Sequence, residues 1–230
     1  MINLIVALLT FIGTICAYII ARIINQRYPS PFTVPILVSS IILIFFLLTF
    51  NINFETFMTG AQWIDKLLGP AVVALAYPLY IYRKVLHRYI LPIGIGVIIG
   101  AIVGISSGVL LAKWIGIDNF LILSMASKSV TTPVAMELSE ALGGVPTLTA
   151  VFVILAGIIG TVCSPYIFKW FSFNHYVVKG IAIGSASHAI GTSKAMENSQ
   201  QEGVVSTVSM VLSALFVSVI VQGLTRLLML

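Results

Sequence analysis

Charge is what this sequence has least of. Only 8% of its 230 residues are charged, with 12 Lys and Arg against 7 Asp and Glu, whereas a soluble domain of this size carries roughly 25% charged residues. So few charges cannot solvate the surface of a folded domain, and a water-soluble enzyme is therefore excluded. The net charge of +5 forms no basic patch with interleaved aromatic residues, so nucleic acid is not an expected partner.

Cysteine and histidine are also scarce, and their positions argue against a metal site. The two cysteines, Cys16 and Cys163, both lie within apolar runs, where a free cysteine usually acts as a small apolar side chain. The three histidines are far apart, without the spacing of a zinc site. We therefore expect no metal, no cofactor and no catalytic residues, and we predict that the protein is not an enzyme.

Long apolar runs dominate the sequence instead. A run of about 20 apolar residues is long enough to cross a bilayer as a helix, and the first run lacks the basic start and small-residue cleavage site of a signal peptide. The predicted fold is thus an all-α polytopic membrane protein with about six spans. The predicted spans are residues 2–21, 34–50, 69–82, 89–112, 146–170 and 204–224.

Two further apolar segments, residues 119–144 and 179–202, are interrupted by clusters of Ser, Thr, Gly and Pro. Loop charge predicts how they thread through the membrane, because short basic loops stay cytoplasmic. Three loops, near residues 22–27, 83–88 and 169–179, hold seven of the twelve cations and no acid. If all three are cytoplasmic, the first interrupted segment is a re-entrant hairpin that enters from outside. The second then enters from inside, and both termini lie outside.

The two interrupted segments are copies of each other. A shift of 60 residues gives 11 identities over the 27 positions 125–151, including the pairs Ser127/Ser187, Thr132/Thr192 and Glu137/Glu197. The predicted organisation is an N-terminal part at residues 1–118, one repeat unit at 119–171 and another at 179–230. Because the two hairpins enter from opposite sides, the repeat is an inverted one, as in secondary transporters that bind substrate near the bilayer midplane.

The hairpin tips carry the residue types of an anion site. Two half-helices begin there, with Thr132 and Thr192 predicted as their N-caps and Gly191 as the turn, and helix N-termini attract anions. Lys128 and His188 occupy equivalent positions in the repeat. These residues predict a site for a small carboxylate, especially one with a hydroxyl or keto oxygen. The predicted substrate-binding residues are Lys128, Ser129, Thr131, Thr132, Ser187, His188, Gly191 and Thr192.

Each of these residues also has a simpler interpretation. Lys128 can extend to the membrane interface, His188 can hydrogen-bond a carbonyl at the break, and the hydroxyls can satisfy freed backbone groups. Glu137 and Glu197 are candidates for proton coupling, although Glu137 fits a solvated helix end equally well. Further candidates that line the site are Pro70, Pro78 and Tyr80, for which an ordinary proline-kinked span is the alternative.

The same residues resemble a known family. The segments Lys128-Ser-Val-Thr-Thr-Pro133 and Ala186-Ser-His-Ala-Ile-Gly-Thr192, with Gly69-Pro-Ala71, Gly143-Gly144 and Glu202-Gly203, are similar to the LrgB/CidB family of bacterial membrane proteins over nearly the whole chain. The family commonly has proline where this chain has Ser127. The resemblance implies the plasma membrane of a bacterium and a separate holin-like partner of the LrgA/CidA type.

The family resemblance implies two functions. One is an antiholin-like regulator of murein hydrolases and autolysis; the other is a transporter, as in the plant plastidic glycolate/glycerate transporter, part of which is LrgB-like. The residues favour the second, because a lytic pore needs no inverted pair of interrupted helices with a basic residue at each tip. The prediction is an elevator-like carrier of glycolate, glycerate, lactate or pyruvate. Self-association into a homo-oligomer in the membrane is left open.

Overall fold

The protein is helical throughout the part that the structure describes, a computed structural model covering residues 2–28, 30, 33, 35–67, 70, 73, 74 and 76–230. These residues form eleven helices and no strand. The helices are α1 Ile2–Arg27, α2 Pro35–Thr49, α3 Phe54–Asp65, α4 Ala76–Ile81, α5 Arg83–Arg88, α6 Ile90–Ile115, α7 Asn119–Ala126, α8 Thr132–Leu142, α9 Pro146–Trp170, α10 Tyr176–Asn198 and α11 Gln200–Met229.

Four described helices are long and apolar enough to cross a membrane: Val6–Arg27, Ile90–Ile115, Pro146–Trp170 and Gln200–Met229. At about 1.5 Å per residue each exceeds the roughly 30 Å hydrocarbon core. The apolar helix Pro35–Thr49 is shorter. These lengths and the many large apolar side chains left exposed, such as Leu111 and Val219, confirm an all-helical, multi-pass membrane protein.

The count of six spans stays a prediction. Four of the predicted spans coincide with the four long helices, and the second with the shorter helix α2. The third, residues 69–82, falls partly on residues outside the described ones (69, 71, 72 and 75), and within it the described helix α4 covers only Ala76–Ile81.

Contacts divide the chain into two compact units, residues 1–71 and 72–230. In the first unit, α1 packs against both α2 and α3. Gly60 of α3 is pressed against α1, where a Cβ atom would overlap the Ala7 carbonyl oxygen and Thr10 Oγ1. The division predicted from the sequence, with residues 119–171 and 179–230 as repeat units, stays a prediction.

In the second unit, α6 and α11 form the centre, and two apolar clusters lie along them. Toward the start of both helices, Ile93 and Val97 of α6 pack with Val205 and Val208 of α11. Toward their ends, a second cluster joins both helices to α7 and α8 through residues such as Ile105, Val130 and Val217. The predicted tip of the first interrupted segment belongs to this second cluster through Val130.

Candidate functional site

The first interrupted segment folds back on itself, forming hairpin 1 (residues 119–142). Its first arm is α7, its tip is residues 127–131 and its second arm is α8. Near the tip, Ser127 Oγ donates to the Ala135 carbonyl at 2.9 Å. Farther along, Thr149 of α9 reaches both arms, its Oγ1 lying 2.7 Å from Ser124 O and 2.6 Å from Ser139 Oγ. Both arms therefore run side by side.

The second interrupted segment also reverses direction, forming hairpin 2 (residues 176–198). The whole segment is α10, but His188 breaks it with φ 46° and ψ −133°. In the arm before the break, Gly180 contacts Glu202 O and Gly184 contacts Ser206 O of α11. In the arm after the break, Thr192 contacts Ser206 and Met196 contacts Gly203. The arms thus meet the same residues of α11 in reverse order.

The hairpins approach from opposite ends of α6, and their tips meet near its middle. Four glycines of α6, spaced four residues apart, contact hairpin residues in order: Gly96 with Ile181, Gly100 with Ser185, Gly104 with Ser129 and Gly108 with Lys128. Position 104 requires glycine, because a Cβ atom there would lie 2.7 Å from Ser129 Oγ. Small residues of this kind allow close helix approach in membranes.

The base of hairpin 2 lies at the start of α6, where the Tyr89 and Tyr176 hydroxyls are 2.6 Å apart. Hairpin 1 begins at Asn119, shortly after α6 ends at Ile115. Its tip lies beside the middle of α11, since Ser213 Oγ donates to Ser129 O at 3.4 Å. The tip of hairpin 2 lies beside the middle of α9, where Gly157 and Gly160 face Ser187.

Lys128 and His188 come together at the meeting point of the tips. His188 Nε2 lies 3.2 Å from the carbonyl oxygen of Lys128, and the His188 side chain is only 2% exposed. The Lys128 ammonium donates to the Gly104 carbonyl at 3.0 Å. The one ion pair among the described residues, Lys194 with Glu197, does not involve it, so the Lys128 side chain has no carboxylate partner among these residues.

Two buried polar atoms at the tips lack partners in the described part of the chain, Thr131 Oγ1 and His188 Nδ1. An unpaired buried polar group costs about 1–3 kcal/mol. Native proteins usually satisfy such groups with water or a ligand. The tips therefore combine an unpaired cation with unused hydrogen-bonding capacity.

The predicted capping was wrong in both hairpins. Thr131, with extended φ and ψ of −63° and 145°, is the N-cap of α8, and Thr132 is its first residue; the cap has no side-chain hydrogen bond. In hairpin 2 the turn is at His188, not at Gly191. Thr192 does not cap, since its Oγ1 lies 2.8 Å from Ser206 Oγ. Gly191 instead keeps the arms close, because a Cβ atom would lie 2.7 Å from Ile183 Cγ2.

The other predicted residues differ in their exposure and surroundings. Glu137 is exposed, and Glu197 is 56% exposed and paired with Lys194 at 2.9 Å. Tyr80 is exposed on α4 with Arg83 stacked over its ring, and Pro78 is half-buried on the same helix. Pro70 belongs to the first unit, while the neighbouring Gly69 and Ala71 lie outside the described residues.

The sequence interpretation missed one set of polar residues, on α11. Its buried residues include a carboxyl group and three serines, Glu202, Ser206, Ser209 and Ser213. Their spacing of four, three and four residues is visible in the sequence and places them on one helix face. That periodicity within a predicted span was the available signal.

The backbone at His188 gives a stability prediction. Its φ and ψ lie close to those of the first central position of a type II′ turn, where glycine is usual, and a strained residue costs about 1–3 kcal/mol. His188→Gly and His188→Ala both lose the contact with Lys128 O, but only glycine relieves the strain. We expect His188→Gly to melt at a higher temperature in detergent than His188→Ala.

Ala189 is a suitable control, because it lies one residue beyond the break and is exposed. There Ala189→Gly should lower the melting temperature, as glycine does in an ordinary helix by about 0.5–1 kcal/mol. Equal or lower stability of His188→Gly relative to His188→Ala would contradict the strain at the tip.

Comparison with known proteins finds one matching family and several relatives along most of the chain. The LrgB-like family model matches residues 14–227. The chain is 43% identical over 209 residues to the uncharacterized protein YxaC of Bacillus subtilis, covering 91% of each chain, and 41% identical over 202 residues to the uncharacterized protein YwbG, covering 88% of this chain and 90% of that one.

A third relative is the holin-like protein CidB of Staphylococcus aureus, 35% identical over 218 residues and 95% of each chain. No solved structure matches the fold. The family match extends over both hairpins and the long helices that hold them. The chain belongs to the LrgB-like family.

Proposed function

We propose that this protein is a carrier, not an enzyme, for small monocarboxylates that bear a hydroxyl or keto oxygen, and that it works in the plasma membrane of a bacterium. One observation carries the proposal: the Lys128 ammonium lies where two hairpin tips meet, with no carboxylate partner among the described residues. An ionised side chain at membrane depth is costly and usually functional. A carboxylate substrate neutralises it.

The surrounding groups suit the rest of such a ligand. Helix α8 starts at Thr132 beside Lys128, and the second arm of hairpin 2 starts after His188. Free N–H groups at a helix start attract an anion. Thr131 Oγ1 and His188 Nδ1, both without hydrogen-bond partners among the described residues, are available to a hydroxyl or keto oxygen of the substrate.

Equivalent contacts in the two hairpins support an inverted repeat. Lys128 and His188, which are 60 residues apart, contact each other, as expected for residues next to a two-fold axis. Ser124 contacts Thr149 in the first unit of the repeat, and the equivalent Gly184 contacts Ser209 in the second. Such opposed hairpins around a central site are typical of secondary transporters. We propose that they move together, in elevator fashion.

A second candidate function is regulation of lysis. It is favoured by the name of the Staphylococcus aureus relative, holin-like protein CidB, and the comparisons support it better than transport, since none of the three relatives is named for a substrate. In this role the chain acts with a holin-like membrane partner of the LrgA/CidA type, as an antiholin-like regulator of murein hydrolases.

Reconstitution separates the two functions. The purified protein in liposomes is supplied with radiolabelled glycolate, lactate or pyruvate, with empty liposomes as the control. The carrier proposal expects saturable uptake, with each acid competing with the others and neutral glycerol not competing. The absence of uptake with and without an LrgA-like partner, in a protein that still changes autolysis in cells, would overturn the carrier and leave the regulator.

A further inference from the structure

One face of α11 carries polar side chains from the base of hairpin 2 to the hairpin tips. Glu202, Ser206, Ser209 and Ser213 lie on this face, called here the α11 polar face, and all four are buried. The twelve residues from first to last are eleven steps of 1.5 Å, and so extend for about 16 Å, roughly half of the hydrocarbon core. Polar groups buried over that distance need a reason.

The α11 polar face begins in a cavity of about 610 Å³ at the base of hairpin 2. Glu202 lines this cavity with Lys169, Tyr176 and Lys179, and exposed Asn198 lies at its rim. The Glu202 side chain is only 6% exposed, and its Oε1 has no hydrogen-bond partner among the described residues. A buried carboxylate therefore contacts an open cavity with unused acceptor capacity.

The α11 polar face ends at the tips. Ser206 Oγ lies 2.8 Å from Thr192 Oγ1 on the second arm of hairpin 2. Ser209 Oγ is buried and has no partner among the described residues. Ser213 Oγ donates to Ser129 O, next to Lys128. Hydroxyl groups both donate and accept hydrogen bonds, so this succession is able to pass a proton, with water completing it where partners are missing.

The charged groups around Glu202 come from three helices. Lys179 and Tyr176 belong to α10, whose N-cap His175 accepts from Val177 N, and Lys169 belongs to α9. Lys84 and Arg88 of α5 line the adjoining cavity beside the first residues of α11. Cations predominate among these groups, so neutralising the Glu202 carboxylate leaves the cavity with a larger excess of positive charge.

We propose that the α11 polar face is a proton pathway from the cavity to the hairpin tips, with Glu202 as the group that takes up the proton. The Glu202 carboxylate accepts a proton from a hydronium ion in the cavity, leaving water. The resulting carboxylic acid passes that proton to the hydroxyl and water chain and becomes a carboxylate again. At the tips the proton accompanies the bound anion, so the pair crosses without net charge.

This inference rests on the proposed carrier function, and it moves proton coupling from Glu137 and Glu197 to Glu202. Both earlier candidates are exposed, and Glu197 is already paired with Lys194. Neither lies on the α11 polar face. Glu202 combines burial, an unpaired oxygen and a route of hydroxyls to the site.

The test compares two transport modes of the full-length protein in liposomes, with radiolabelled glycolate as the probe. Exchange is measured at equal pH on both sides; accumulation is measured with the cavity side more acidic by one pH unit, which supports roughly tenfold accumulation for a one-proton symporter. Glu202→Gln is expected to retain exchange and to lose accumulation entirely.

Ser209→Ala provides a second variant that keeps all charges, and it should slow accumulation without changing exchange. Thr225→Val is the matched control, because Thr225 Oγ1 is likewise buried on α11 without a partner among the described residues but lies beyond the tips. If Glu202→Gln and Ser209→Ala both exchange and accumulate glycolate as the wild-type protein does, the pathway is overturned and the carrier proposal stands. If the wild-type protein itself shows no exchange, the pathway and the carrier proposal are both overturned.

Discussion

Replacing Lys128 by methionine is expected to lower the rate of glycolate uptake into liposomes by roughly a hundredfold, since a hydrogen bond to a charged group contributes about 1.5–3 kcal/mol. Methionine keeps most of the length and the apolar stem that lies along Gly108 of α6, and removes only the ammonium. The Gly104 carbonyl that loses this donor lies within α6. Folding should therefore be retained, which a melting curve in detergent would verify.

Lys194 is the matched control for Lys128. It lies on hairpin 2, is half exposed, and pairs with Glu197 instead of contacting the tips, and exposed ion pairs contribute little. Lys194→Met should leave uptake within about fivefold of wild type, because a surface pair is worth at most about 1 kcal/mol. Lys128→Arg keeps the charge, but the broader guanidinium does not fit beside Gly108, so we expect partial activity.

The same variants distinguish carrier from regulator. If the protein acts on lysis only through a membrane partner, Lys128→Met should leave autolysis rates unchanged in cells, since Lys128 contacts only groups inside its own unit. Uptake by Lys128→Met equal to that of wild type would remove the tip site from the mechanism.

The position of both hairpins was predictable from the sequence because their interruptions and repeated motif are local features. Ser127, Thr132 and Glu137 have identical counterparts 60 residues later, and no long-range information is needed to see this. Lys128 meets His188 because the two hairpins approach along α6 from its opposite ends. The sequence therefore predicted which residues form the tips, and their role in binding a substrate stays a prediction.

The local details of the tips were not predictable, because they depend on how the arms pack. Thr131 and Thr132 are both good N-cap residues, and only the extended backbone of Thr131 decides between them. In hairpin 2, the sequence favours Gly191 as the turn. In the structure Gly191 lies within the helix, where its close contact with Ile183 leaves no room for a side chain. The reversal then falls on His188, although positive φ is uncommon for residues other than glycine.

The α11 polar face was hidden for a different reason. Single serines in an apolar span are common in membrane helices and usually bond to their own backbone, as Thr207 does with Gly203. Ser206, Ser209 and Ser213 become informative only once hairpins 1 and 2 are seen to cover them. Which side chains share a buried surface is a property of the packing, not of the periodicity alone.

Replacing Gly184 by alanine is expected to destabilise the protein by about 3 kcal/mol, at the upper end for overpacking. Hairpin 2 approaches α11 most closely here: a Cβ atom would overlap the Ser206 carbonyl oxygen and lie 2.9 Å from Ser209 Cβ and 3.0 Å from Met210 N. Two of these atoms are backbone and cannot rotate away, so the first arm of the hairpin would have to move off α11.

Gly94 of α6 is the control, since nothing lies within 4 Å of a Cβ atom there. Alanine is favoured over glycine in a helix by up to about 1 kcal/mol, so Gly94→Ala should be neutral or stabilising, opposite in sign to Gly184→Ala. At about 3 °C per kcal/mol for a chain of this size, the melting temperature of Gly184→Ala in detergent should fall by roughly 10 °C. Equal melting temperatures for the two variants would refute the close packing of hairpin 2 on α11. Because the displacement that Gly184→Ala causes also separates Ser206 from Thr192, this variant should impair any transport through the tips as well.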